Sequence, residues 1–169
     1  AHNVASFSPS SVSAAVIDVN PNFTAYTVKN GLIRVLHRHS TVKALLRGHV
    51  GQQVTDLRFF HNGDVLASVG HYHEATTATA ANNNNNNNGA LSSVLIIWRV
   101  YENLTEINAD KLLEIQATDG VILDRVVWHV FNQNQFWMLS NKNTDTKNHQ
   151  TTATLVETTR ITTTPSAQP

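Results

Sequence analysis

The chain contains no cysteine, and none of its apolar runs is long. Without cysteine it can form no disulfide and no thiolate metal site, which fits a reducing compartment. No apolar run approaches the roughly 20 residues that cross a bilayer as a helix, so we expect no membrane partner. The formal net charge is zero, with 12 basic and 12 acidic residues among 169. The total charge therefore favours no class of partner.

The charges are nevertheless unevenly placed along the chain. Residues 29–58 contain six basic residues and one acidic residue, whereas residues 102–124 contain six acidic residues and one basic residue. Surfaces of opposite charge can attract different partners. The candidate docking face for an acidic peptide or an RNA phosphate consists of Lys29, Arg34, Arg38, Lys43 and Arg47. The alternative is that these side chains are the solvated edges of a sheet.

Short apolar segments separated by turn residues predict an all-β chain. In the first part, the expected strands are Ala14–Val19, Phe23–Val28, Leu32–His37 and Thr41–Leu46. Asn-Gly at residues 30–31, between two of these strands, is the strongest short signal for a hairpin. Residues 1–13 are small and polar, and we expect them to be a flexible lead-in.

A second four-stranded unit is expected between residues 54 and 116, with an interruption in its middle. Its expected strands are Val54–Phe60, Val65–Val69, Val94–Val100 and Leu112–Gln116. The apolar spacing over residues 104–115 leaves a helix open as an alternative to the last strand. Residues 71–92, which include seven consecutive asparagines, lack the apolar content to fold and predict a disordered insertion.

A third unit begins with the expected strands Val121–Val130 and Phe136–Ser140. After it the composition changes to Thr, Asn, Lys and Gln. Residues 141–169 therefore predict a disordered, Thr-rich tail.

The order of these signals resembles that of one WD40 propeller blade. Gly48-His49 comes before two strands, and a later strand ends in Trp98-Arg99. Once the insertion at 71–92 is left out, the spacing from His49 to Trp98 lies in the ordinary range for this repeat. The resemblance implies a partial WD40 β-propeller over residues 14–140, with about two to three blades of a larger ring.

In WD40 blades a histidine, a serine or threonine, an aspartate in a turn and a tryptophan form a buried hydrogen-bond network. The matching residues here are His49, Ser68 and Trp98. The aspartate should follow Ser68 closely, but residues 69–71 read Val-Gly-His. A buried network that lacks one acceptor is expected to be weaker.

Four segments together resemble a narrower family, the WD40 N-terminal propeller of the enhancer-of-mRNA-decapping scaffold, called Varicose in plants. They are NGLIRVL at 30–36, ALLRGH at 44–49, VTDLRFF at 54–60 and RVVWH at 125–129. The resemblance implies a non-enzymatic scaffold that holds the decapping enzyme and its activator in cytoplasmic processing bodies and promotes 5′-to-3′ mRNA decay. It implies no catalytic residue, no metal and no cofactor. Contact with mRNA could be indirect, and self-association would use regions outside this chain.

Two patterns indicate enzymatic or metal-binding alternatives. The His-x-His pairs at residues 37–39 and 71–73 could bind zinc or copper, but no further ligand is spaced to complete a known signature. Asp56, Ser68 and His49 have the residue types of a hydrolase triad. Ser68 lacks the Gly-x-Ser-x-Gly context of a nucleophile elbow, however.

Two binding functions are also alternatives to the decapping scaffold. One is a generic WD40 protein–protein adaptor in another pathway. The other is an RNA-binding β-propeller, whose basic stretch would contact phosphates and whose aromatic rings would stack on bases. The candidate stacking residues are Tyr26, Phe59, Phe60 and Trp98.

Overall fold

The computed structural model describes residues 15–73, 91–103, 105–117, 120–143 and 149–158. In these residues the chain forms eleven strands in three antiparallel sheets. Sheet 1 contains β1 (Ile17–Val19), β2 (Phe23–Val28), β3 (Leu32–His37) and β4 (Lys43–Leu46). Sheet 2 contains β5 (Gln53–Phe59), β6 (Val65–His73), β7 (Leu91–Asn103) and β8 (Glu106–Gln116). Sheet 3 contains β9 (Val121–Trp128), β10 (Gln135–Asn143) and β11 (His149–Glu157).

Each sheet is a meander, because strands that follow each other in the chain are neighbours in the sheet. The hairpin between β2 and β3 turns at Asn30-Gly31, as the sequence predicts. Asn30 and Gly31 have φ angles of 68° and 72°. Positive φ at both central residues is what a tight turn needs in order to match the twist of two antiparallel strands.

Sheet 2 lies between the other two sheets, and its central strands are buried on both faces. One face of β7 contributes Ile96, Trp98 and Val100 to a core shared with sheet 1. The other face contributes Leu95 and Ile97 to a core shared with sheet 3. This two-sided burial explains why residues 94–98 of β7 are all apolar rather than alternating.

Two buried or half-buried carboxylates join the first strands of successive sheets. Asp18 in β1 accepts the backbone N–H of Phe59 in β5 at 2.6 Å. Asp56 in β5 accepts the backbone N–H of Val126 in β9 at 3.0 Å. Backbone donors that lie inside a packed structure must find an acceptor, and here the neighbouring sheet supplies it. A hydrogen bond from a backbone N–H to a carboxylate of the preceding sheet is therefore present at both sheet-to-sheet junctions.

The structure differs from the sequence prediction at the borders of the insertion. The prediction of disorder over 71–92 was wrong at its two ends, because β6 continues to His73 and β7 begins at Leu91. These ends pair with each other, with His71 opposite Ser93 and Tyr72 opposite Ser92. Ladder hydrogen bonds compensate there for the low apolar content. The rest of the predicted insertion lies outside the described residues.

The predicted disordered tail, residues 141–169, was also wrong in part. The strand β10 continues to Asn143, and β11 spans His149–Glu157. Threonine favours strands because its branched side chain packs well on a pleated surface, so the Thr-rich composition that predicted disorder fits β11. The remainder of the tail and the predicted lead-in at 1–13 lie outside the described residues.

The chain is thus an all-β protein whose consecutive antiparallel sheets pack face to face, as in part of a β-propeller. Residues 106–116 form strand β8 and not the alternative helix. Among the described residues, no helix has the length and apolar character needed to cross a membrane.

Candidate functional site

The structure brings His49, Ser68 and Trp98 together at the junction of sheets 1 and 2. The hydroxyl of Ser68 accepts the indole N–H of Trp98 at 2.8 Å and lies 2.8 Å from Nε2 of His49. His49 and Ser68 are fully buried, and Trp98 is 6% exposed. The network therefore ties the loop between β4 and β5 to strands β6 and β7.

Gln52 occupies the place of the missing aspartate. Its Oε1 lies 2.7 Å from Nδ1 of His49. A tight turn puts it there, because the N–H of Gln52 donates to the carbonyl of His49 at 2.9 Å and Gly51 has a φ of 80°. That is the geometry of a type II turn, which requires positive φ at its third residue. The Val-Gly pair after His49 is the sequence signal for this turn.

The partners of His49 assign its protonation state. The amide oxygen of Gln52 can only accept, so Nδ1 carries the hydrogen and Nε2 accepts the Ser68 hydroxyl proton. Burial lowers the pKa of His49 below its ordinary value, which favours the neutral ring that this arrangement needs. The network is a continuous chain of donors from Trp98 through Ser68 to His49, and His49 in turn donates to Gln52.

Three glycines leave the space that the network fills. A Cβ at Gly48 would clash with the Trp98 ring. A Cβ at Gly70 would clash with the His49 ring and with the Gln52 amide. A Cβ at Gly31 would clash with the backbone carbonyl of His49. Close approach of another part of the chain is a common reason for glycine, and it applies within a strand only to Gly70 in β6.

The triad alternative does not fit this geometry. Asp56 does not contact His49. Its two carboxylate oxygens instead accept from the N–H of Val126 and from Nε of Arg58, at 3.0 and 3.1 Å. Burial raises the pKa of Asp56. Because Ser68 is also fully buried, its hydroxyl has no access to a substrate.

One histidine of each His-x-His pair has another partner. Nε2 of His37 lies 3.2 Å from the Glu102 carboxylate, and Nε2 of His71 donates to the carbonyl of Leu123 at 2.6 Å. In the part of the chain that the structure describes, no three His, Asp or Glu side chains are grouped so that they could hold a metal ion.

The structure spreads the five candidate basic residues over three places on sheet 1. Lys29 and Arg47 are exposed at the end that holds the β2–β3 turn. Arg34 and Lys43 share the face that points away from sheet 2, because the residues alternating with Arg34 in β3 are buried against sheet 2. Arg38 lies at the opposite end, where its guanidinium donates to the carbonyl of Asn20 at 3.0 Å.

A cleft of about 600 Å³ opens at the turn end of sheet 1. One wall is residues 27–31, which are the end of β2 and the β2–β3 turn, and the other is residues 52–54 at the start of β5; Ala15 also lines the cleft. Lys29 contributes a cation to the first wall. The second wall begins at Gln52, whose side-chain amide contacts the ring of His49. The cleft thus combines a wall held by the His49 network, a cation and a volume suited to a few side chains of a ligand.

The aromatic residues that could stack on bases are mostly inaccessible. Phe59, Phe60 and Trp98 are between 6% and 8% exposed. Tyr26 is half-buried on the outer face of sheet 1. Three of the four candidate stacking residues are therefore core residues.

No protein-family model, no curated protein and no solved structure matches this chain. Its function is accordingly inferred from its residues and their geometry.

Proposed function

We propose that this chain is a non-enzymatic, WD40-type binding module of a scaffold that promotes mRNA decapping and 5′-to-3′ mRNA decay. Its partners would be the decapping enzyme and its activator, and its place would be cytoplasmic processing bodies. It would act by docking segments of these proteins. Chemistry would be left to the partners, and no cofactor would take part.

The observation that carries the WD40 assignment is the hydrogen-bond chain through Ser68. A histidine after a glycine, a serine on the second strand and a tryptophan ending the third strand meet in one buried site. In a WD40 blade this chain holds the loop between neighbouring blades. Gln52, from the loop before β5, provides an acceptor at Nδ1 of His49, which supports the assignment although the expected aspartate is absent.

The narrower assignment to the decapping scaffold is supported by the four segments that resemble that family. They lie at related places in the fold. The segment 44–49 contains most of β4 and the network histidine, 54–60 contains most of β5, and 125–129 contains the end of β9. Asp56, within 54–60, binds the backbone N–H of Val126, within 125–129. Segments that contact each other in this way are expected to be kept together in a family.

The docking site we propose is the cleft beside Lys29. A cation at the rim of a cleft favours a partner segment that carries an acidic side chain. Because Gln52 is held by its contact with His49, this wall should lose little conformational entropy when a partner binds. A protein segment fits the site better than RNA does, because Phe59, Phe60 and Trp98 are not available for stacking.

The test is affinity purification of the tagged 169-residue chain from cells of its source, with mass spectrometry of the recovered proteins. We expect the decapping enzyme or its activator to be recovered. Lys29→Glu reverses the charge at the cleft and should reduce the recovery at least tenfold, since like charges at an interface cost more than 1.4 kcal/mol. Lys142→Glu makes the same charge change at an exposed residue of β10 and serves as the matched control.

The outcomes separate the parts of the proposal. Equal recovery with Lys29→Glu and Lys142→Glu would remove the cleft as the docking site and leave the scaffold role. Absence of decapping factors, with another complex recovered, would refute the decapping role and favour a generic adaptor. RNA binding that weakens with salt and with Lys29→Glu would instead favour the RNA-binding alternative.

A further inference from the structure

Sheet 3 has one strand fewer than the other two sheets. Its order is β11-β10-β9, so β11 forms its outer edge, whereas sheets 1 and 2 each continue to a fourth strand. In the described part of the chain no strand pairs with the outer side of β11. This edge is nine residues long, from His149 to Glu157.

The register with β10 identifies which backbone groups of β11 are free. The N–H of Thr158 donates to the carbonyl of Asn134 at 2.9 Å, and the pairing of β10 with β11 continues without a bulge. Because the direction of the backbone groups alternates along an antiparallel strand, Thr154 and Val156 also point toward β10. The N–H and C=O groups of Ala153 and Leu155 therefore point to the free side.

Residues 151–156 of β11 lack the charges that protect the outer strands β4 and β8. In β4 the exposed residue Lys43 protects the edge, and β8 carries Glu106, Asp110, Lys111 and Glu114. Residues 151–156 of β11 are Thr, Thr, Ala, Thr, Leu and Val, with no charge and no proline. Natural proteins blunt exposed edges with charges, prolines or bulges because a bare edge pairs with another strand. Residues 151–156 have none of these.

The side chains of sheet 3 add an apolar row that ends at this edge. Trp137 in β10 lies opposite Val127 in β9 and opposite Leu155 in β11. All three are on the face away from sheet 2 and are between 41% and 47% exposed. A row of this kind is stabilised when a further apolar residue follows on the next strand.

We propose that two copies of this chain pair through β11, antiparallel and about a two-fold axis at Leu155. The pairing would join the two copies of sheet 3 into one sheet of six strands. The apolar row would then run without interruption from Val127 of one copy, through both Leu155 side chains, to Val127 of the other.

A second copy fits this edge better than an unrelated strand because the edge complements itself. Under a two-fold axis at Leu155, each Ala153 lies opposite Glu157 of the other copy, and no like charges face each other. Leu155 also has its backbone groups on the free side, so the two Leu155 residues form a hydrogen-bonded pair. An axis at Ala153 would overlap more residues, but it would place Leu155 opposite Thr151 and end the apolar row.

The test is the molar mass of the 169-residue chain by sedimentation equilibrium. We expect a reversible increase from 18.6 kDa to twice that mass between about 1 and 500 µM, the range suited to a small interface. Ala153→Pro removes one free N–H without touching a bond to β10. Leu155→Lys places a charge on the two-fold axis. Each should weaken dimerisation at least tenfold, while Asn62→Lys, an equal charge change at an exposed turn, should not.

Circular dichroism shows whether each variant is folded. If Ala153→Pro fails to fold, Leu155→Lys alone tests whether dimerisation depends on β11. A monomer at every concentration, a mass above that of a dimer, or dimers unaffected by both edge variants would overturn the proposal. Since the chain has no cysteine, Leu155→Cys and Ala153→Cys also test the register. Leu155→Cys should form the disulfide dimer faster, and equal or slower cross-linking would overturn the axis at Leu155.

Discussion

Replacement of Ser68 by alanine tests the central contact of the buried network. The variant loses one hydroxyl, but two partners lose their hydrogen bond, the indole N–H of Trp98 and Nε2 of His49, both at 2.8 Å. An unsatisfied buried polar group costs about 1–3 kcal/mol. Some relaxation is expected, so we expect Ser68→Ala to lower the free energy of unfolding by about 2–4 kcal/mol.

The measurement is urea unfolding followed by far-UV circular dichroism. With a urea dependence of about 2 kcal/mol/M, the midpoint should fall by about 1–2 M. Ser40→Ala is the control, because Ser40 is exposed and bonds at the surface to His37 and Glu102. It should cost about 0.5 kcal/mol or less. If Ser68→Ala shifts the midpoint no further than Ser40→Ala does, the network does not stabilise the fold.

The same site supports three further predictions. Gln52→Glu puts a carboxylate beside Nδ1 of His49, so the pKa of His49 should rise, which an NMR titration of the ring protons measures against wild type; an unchanged titration would contradict the contact. Because burial lowers the pKa of His49 from 6.5, the contribution of His49 to the free energy of unfolding should be complete above pH 6.5 and decrease as the pH falls below it. His49→Gln should therefore reduce the dependence of the free energy of unfolding on pH in this range. Asp56, whose pKa burial raises, acts in the opposite sense, because its contribution increases as the pH falls. Gly70→Ala should cost about 2 kcal/mol or more, since its Cβ would displace the His49 ring, and a thermal midpoint within 2 °C of wild type, against about 4 °C expected, would refute that clash.

The parts of the fold that followed from the sequence are those with local signals. Phe23–Val28 and Leu32–His37 were predicted with the bounds that the structure has, because a turn with positive φ at Asn30 and Gly31 separates two apolar segments. The meeting of His49, Ser68 and Trp98 was also expected, since the order of residue types along the chain is itself the signal.

The parts that the sequence did not predict depend on contacts between distant residues. Strand β11 was missed because its composition is polar, and its stability comes from pairing with β10 over nine residues. Gln52 was missed because a glutamine has no typical role. Only the turn at Gly51 brings its amide to His49. In both cases the residue type did not indicate the structural role, which depends on how the fold brings the residues together.

The junctions between sheets show the same dependence on geometry. Asp18 and Asp56 bind the backbone of the next sheet, yet the turns that follow them differ in length, so no fixed spacing identifies the pair. Each carboxylate accepts a backbone N–H that the pairing within its own sheet leaves without an acceptor. The bond fixes the position of the first strand of one sheet along the first strand of the next. Asp124 in β9 instead pairs with its neighbour Arg125 at 2.9 Å, at the surface. Among the described residues, this carboxylate-to-backbone bond is therefore formed where a further sheet supplies a donor, as expected of a fold whose units are stabilised by their neighbours.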